Sequence, residues 1–212
     1  MAPPRPEGLD PLYLITDRNA PPGGDLLAAL EAALAGGVRL LQFREKDLSP
    51  RARYDLGREV MRLAGARGAR VIVNGDPALA LALGAAGVHL GKETLPVEAV
   101  RAGLGYAGLI GYSAHGGAEA AAALAAGADF VTLSPIFPTR SKHPSAPPLG
   151  PEGLRAEAAG LSGPVYALGG VDAGNAPACL EAGAHGVALI GAVLGAPSPE
   201  EAARALRAAL GD

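Results

Sequence analysis

The chain has one cysteine, Cys179, no tryptophan, and only three lysines, Lys46, Lys92 and Lys142, among 18 basic residues. A single cysteine cannot close an internal disulfide. Aromatic residues make up 4% of the sequence, the net charge is -3, and no basic run interleaves with aromatics, which argues against a nucleic-acid groove. Every apolar run is cut by Gly, Pro or charge before it reaches the length of a membrane span. The opening M-A-P-P-R-P-E-G lacks the apolar stretch of a signal peptide, so a cytoplasmic protein is expected. Its partners are expected to be small molecules, with no nucleic acid and no membrane, and a homo-oligomer is left open.

Against these absences stands an apolar content of 49% over 212 residues, enough to bury one sizeable core. We expect a single domain over 1–212, with residues 1–10 as a flexible N-terminal segment. Short β-branched or apolar runs alternate with Ala/Leu-rich stretches at helical spacing. Strands are predicted at 12–15, 38–43, 70–73, 87–90, 108–112, 129–133, 164–168 and 186–190. Helices are predicted near 25–35, 50–66, 77–84, 96–102, 117–125, 151–159, 174–182 and 198–210. Four helices run into a repeated phrase, A-G-G-V at 35–38, A-A-G-V at 85–88, A-G-A-D-F at 126–130 and A-G-A-H-G-V at 182–187, in which Gly suits a left-handed cap before the next strand. Eight such units of roughly 26 residues predict a (β/α)8 TIM barrel of the α/β class. The competing open doubly wound sheet lacks its Gly-rich first turn.

In a barrel, ligands bind at the carboxyl ends of the strands. Strand two ends Q-F-R-E-K, and alternation places Gln42, Arg44 and Lys46 on one face with Phe43 and Glu45 on the other. Strands seven and eight end in glycine turns, so the bare N–H groups of Gly169, Gly170 and Gly191 are candidates to hold phosphate. After strand six comes S-P-I-F-P-T-R-S-K-H-P-S-A-P-P-L-G at 134–150, where Thr139, Ser141 and Lys142 offer hydroxyls and a cation to an anion. His115, at the end of strand five, is the candidate acid/base. His89, inside V-H-L-G, reads as a packed residue, and His143 and His185 read as loop residues.

These residues resemble the thiamine phosphate synthase superfamily along almost the whole chain: L-Y-L-I-T-D at 12–17, Q-F-R-E-K at 42–46, V-N at 73–74, G-V-H-L-G at 87–91, I-G-Y-S-A-H at 110–115, S-P-I-F-P-T-R-S-K at 134–142 and A-L-G-G-V at 167–171. For the synthase, the resemblance implies that a thiazole phosphate displaces pyrophosphate from a hydroxymethylpyrimidine diphosphate with magnesium assistance. It also implies that Gln42, Arg44, Lys46, Asn74, Ser113, Thr139, Ser141 and Lys142 grip the pyrimidine and its diphosphate. Two positions depart from the synthase pattern. Gly75 and Thr94 stand where its two magnesium-holding aspartates are implied, with Asp76 and Glu93 as neighbouring carboxylates. At these departures the chain is similar to the TenI-type thiazole tautomerase branch, whereas Gln42 and Lys46 look more like the synthase. The expectation is therefore a metal-independent isomerase acting on a carboxythiazole phosphate through His115. The alternatives are the synthase, with Mg2+, and a non-catalytic binder of phosphate ligands.

Overall fold

The computed structural model describes residues 9–139 and 147–211. Eight parallel strands pair in sequence order and close: β1 (Leu12–Ile15), β2 (Leu40–Phe43), β3 (Arg70–Asn74), β4 (Gly87–Leu90), β5 (Leu109–Ala114), β6 (Phe130–Leu133), β7 (Val165–Leu168) and β8 (Gly186–Leu189). The last seam joins β8 to β1 through Leu12↔Val187 and Leu14↔Leu189. The helices are α1 (Leu26–Ala35), α2 (Pro50–Ala66), α3 (Pro77–Leu83), α4 (Gly117–Ala125), α5 (Gly150–Ala158), α6 (Ala176–Glu181), α7 (Gly191–Leu194) and α8 (Pro199–Ala209). This is the (β/α)8 barrel that the repeated units predict.

Two details depart from the sequence reading. The helix expected at 96–102 is a π-helical turn, Ala99–Gly103, and the short α7 precedes the last helix. Among the described residues no helix is long and apolar enough to cross a membrane.

Alternation along the strands divides the core into two. Leu12 and Leu14 face the helices, whereas Tyr13 and Ile15 face the barrel interior, where they meet Leu40, Ile72, Phe130, Tyr166 and Ala188. Tyr13 meets Phe130 edge-on with centroids 5.6 Å apart, and Phe130 meets Tyr166 likewise at 5.5 Å. Interior aromatics are accommodated because Gly111 faces them without a side chain: a Cβ there would overlap both His89 Nδ1 and Phe130 Cζ.

Local signals set the helix ends. Ser49, Asp76 and Ser198 each accept a hydrogen bond from a first-turn N–H and are each followed by proline, so the cap is satisfied and the first helical φ is preset. Of the four glycine phrases, three place their glycine in the left-handed region, at Gly37, Gly127 and Gly183. In the fourth the cap is Gly84, one position upstream of the phrase, and Gly87 lies inside β4.

The bottom of the barrel is closed by the start of the chain. Leu9 is buried among the interior residues, and both Asp10 carboxylate oxygens accept from Arg207 Nη1 at 2.7 Å. The Tyr166 hydroxyl donates to the Asp10 carbonyl at 2.7 Å. The flexible segment expected over 1–10 therefore does not include Leu9 and Asp10, and residues 1–8 lie outside the described part.

Candidate active site

A cavity of about 350 Å3 opens at the carboxyl ends of the strands, a volume suited to a small ligand. Its wall includes Gln42, Arg44, Lys46, Asn74, Ser113, His115, Thr139 and Gly169 of the expected site, and also Asp17, His89, Lys92, Glu93 and Thr94. Gly170 and Gly191 are not part of that wall. Ser141 and Lys142 lie outside the described residues, so their expected roles have no structural counterpart here.

The β2 end is held by an internal strut. Glu45 is buried and accepts from the Thr16 hydroxyl at 2.7 Å and from the Arg18 N–H at 3.2 Å. Thr16 Oγ1 in turn accepts from the Arg44 N–H at 2.8 Å. Burial pushes the Glu45 carboxyl upward, opposed by those two donors. With Glu45 turned inward to this strut, alternation leaves Arg44 and Lys46 in the cavity wall, as the sequence predicts. The Arg44 guanidinium makes no hydrogen bond or ion pair with a described residue, so it is available to an anion.

The cavity floor is polar and ordered. The Gln42 amide nitrogen donates to the Tyr13 hydroxyl at 3.0 Å, the Tyr13 hydroxyl meets His89 Nδ1 at 3.3 Å, and His89 Nε2 meets Ser113 Oγ at 3.0 Å. Burial, assisted by the nearby Arg44 charge, drives the His89 imidazole down to about 3, so the ring is neutral at physiological pH. His89 is thus packed, as the sequence suggests, and is also part of the cavity floor, which the sequence reading missed. The available signal was its place in β4, two residues before Gly91 and on the same face as the strand end.

His115 lies at the rim. Its side chain is 47% exposed, its N–H donates to Glu119 at 2.9 Å, and Nδ1 lies 3.5 Å from the same carboxylate. Glu119 also accepts from the Tyr112 hydroxyl at 3.0 Å.

The paired glycines after β7 have a packing reason that the sequence did not disclose. A Cβ on Gly170 would lie 2.8 Å from Phe137 Cβ, and one on Gly169 would lie 3.0 Å from Pro135 Cα. Both residues have positive φ, and the Phe137 N–H donates to the Gly169 carbonyl at 2.9 Å. The β6 loop is seated directly on this turn. No described residue accepts from the N–H groups of Gly169, Gly170 or Gly191.

The two synthase-type carboxylates are missing from the third and fourth strand ends, where Glu93 is a carboxylate that lines the cavity. Gly75 has no side chain, and the Thr94 hydroxyl donates to the Gly91 carbonyl at 2.7 Å. Asp76 is committed elsewhere: one oxygen caps α3 at Leu79 N, 2.9 Å away, and the other pairs with Arg53 at 3.0 Å. Among the described residues no group of three His, Cys, Asp or Glu side chains is placed to hold a metal. Magnesium demands near-octahedral oxygen geometry and is usually held by one or two carboxylates together with waters and substrate phosphates.

The sequence pattern of the thiamine monophosphate synthase family matches residues 12–193, and the chain belongs to that family. A Geobacter sulfurreducens protein is 51% identical over 94% of this chain and 93% of its own, and carries the name thiamine-phosphate synthase in provisional form. The thiamine-phosphate synthase of Roseiflexus sp. is 41% identical, covering 98% of this chain and 88% of that one. The solved thiamine phosphate pyrophosphorylase of Pyrococcus furiosus superposes with a TM-score of 0.84 at 34% identity, covering 94% of both chains.

These similarities correct the expectation of a thiazole tautomerase and isomerase. That expectation rested on Gly75 and Thr94, whereas the full-length relatives bear the synthase name. The two departures remove carboxylates but leave Gln42, Arg44 and Lys46, the synthase-like features, in the cavity wall.

Proposed function

We propose that this protein is a thiamine-phosphate synthase, a transferase that joins a thiazole phosphate to a hydroxymethylpyrimidine diphosphate and releases pyrophosphate. The observation that carries this reading is that Arg44, Lys46 and Lys92 line one cavity together with neutral hydrogen-bonding groups, Gln42, His89 and Ser113. A neutral polar floor suits a pyrimidine, and a cationic wall suits its diphosphate.

In this reading the thiazole ring nitrogen forms the new bond to the pyrimidine's exocyclic methylene carbon as the carbon–oxygen bond to diphosphate breaks. Negative charge grows on the departing oxygen, and Arg44 and Lys46 stand fixed where they can offset it without reorganising. Gln42, Asn74 and Ser113 orient the pyrimidine diphosphate. Thr139, Ser141 and Lys142 contribute hydroxyls and a cation to the anion. The thiazole phosphate takes the unsatisfied N–H groups of Gly169, Gly170 and Gly191. For the magnesium implied by the synthase resemblance, no group of three His, Cys, Asp or Glu side chains is placed to hold it among the described residues. Its small polar substrates suit action in the cytoplasm.

Complementation tests the reading. A bacterium lacking its own synthase should grow without thiamine when it expresses this chain, and Arg44→Ala should lose that growth. Failure of the wild-type chain, expressed and folded, would contradict it.

A further inference from the structure

Four side chains, of which Gln42, His89 and Ser113 line the cavity and Tyr13 lies beneath, form a continuous line from β2 through β1 and β4 to β5, and the chemistry of its ends fixes its direction. An amide nitrogen can only donate, so Gln42 Nε2 gives a proton to the Tyr13 hydroxyl oxygen. Tyr13 is fully buried, and burial holds its phenol protonated. Its own proton therefore needs an acceptor, and the partner within reach among the described residues is His89 Nδ1. Nδ1 must then be bare. A neutral imidazole with a bare Nδ1 carries its proton on Nε2, and that proton is donated to Ser113 Oγ. Were the proton on Nδ1 instead, the Tyr13 hydroxyl would receive from both sides and its own buried proton would have no described partner.

We propose that His89 is a positioning residue: held as the Nε2–H tautomer by Gln42 and Tyr13, it occupies the acceptor side of Ser113 and commits the Ser113 hydroxyl proton to the ligand. Ser113 then recognises an acceptor and rejects a donor. Arg44 and Lys46 line the same cavity, and the acceptor we assign is a phosphoryl oxygen. Gly111 belongs to the device, since any side chain there would occupy the space of the His89 ring. The proposal rests on the synthase reading only in naming a diphosphate as the ligand.

Two measurements test it. In the unliganded wild-type protein, two-bond 1H–15N correlation spectra should show the His89 ring with Nε2 protonated and Nδ1 bare. That signal is identified by its disappearance in His89→Gln. Inorganic pyrophosphate, titrated calorimetrically, should bind about tenfold or more weakly to Ser113→Ala, the loss expected for one hydrogen bond to a charged group. Tyr13→Phe, which keeps Ser113 but frees the tautomer, should also weaken binding and give a mixed ring spectrum. An Nδ1-protonated ring in the wild type would leave Nε2 to accept from the Ser113 hydroxyl and so overturn the proposal. Unchanged pyrophosphate affinity in folded Ser113→Ala would overturn it as well. Because the tautomer is read without substrate or turnover, its failure is distinct from failure of the synthase reading.

Discussion

Gly75 and Thr94 face one another across the ends of β3 and β4: a Cβ built on Gly75 would lie 3.2 Å from Thr94 Cγ2. Two carboxylates at these positions would be near neighbours, and the chain has neither. We therefore expect calorimetric titration of the unliganded protein with Mg2+ to give no saturable binding below the millimolar range. The double substitution Gly75→Asp and Thr94→Asp should introduce such binding, because Asp tolerates the left-handed backbone that Gly75 adopts at φ 72°. Micromolar binding by the unsubstituted protein would show that other residues hold the ion.

Arg44 separates binding from folding. Its guanidinium has no described partner, so Arg44→Ala should leave thermal unfolding within about 1 °C while lowering kcat/KM for the pyrimidine diphosphate by roughly 10²–10³, the scale for losing one preorganised charge-stabilising donor. A large fall in melting temperature would mean that Arg44 is structural.

His89 should also give the protein a pH-dependent stability. Its folded value, about 3, lies below the ordinary 6.5, so between these values the unfolded chain binds a proton that the folded chain refuses. This contribution is present above about pH 6.5 and is lost as pH falls, at up to about 1.4 kcal/mol per pH unit. Denaturant titrations from pH 7 to 4 should show this decline, and His89→Gln should flatten it. An unchanged slope in the variant would assign the decline to other groups.

Gly111→Ala tests the packing of the barrel interior. The added methyl would overlap His89 and Phe130, both buried and unable to move without displacing Tyr13 and Tyr166. Overpacking of this kind costs about 1–3 kcal/mol, which equilibrium unfolding would register. A neutral result would mean that the interior is looser than described.

The barrel was legible because its signals are local: short apolar runs such as L-Y-L-I alternating with Ala/Leu-rich stretches, and glycines after helices. The wall residues Gln42, Arg44 and Lys46 were legible for the same reason, being set by a single strand's period. His89 was not, because its partners Tyr13 and Ser113 arrive from strands 76 and 24 residues away and only closure of the barrel brings them together. Gly169 and Gly170 suggested phosphate by position alone, and the demand of the β6 loop for their bare backbone is a tertiary fact. The tautomerase expectation failed because it weighted two missing carboxylates above the cationic wall that remains.

The central claim is tested most directly by mixing the purified protein with hydroxymethylpyrimidine diphosphate, thiazole phosphate and Mg2+ and quantifying both products. The account predicts thiamine phosphate and pyrophosphate formed in equal amounts over many turnovers. No thiamine phosphate from folded protein, with conversion of a carboxythiazole phosphate to its aromatic tautomer instead, would contradict it.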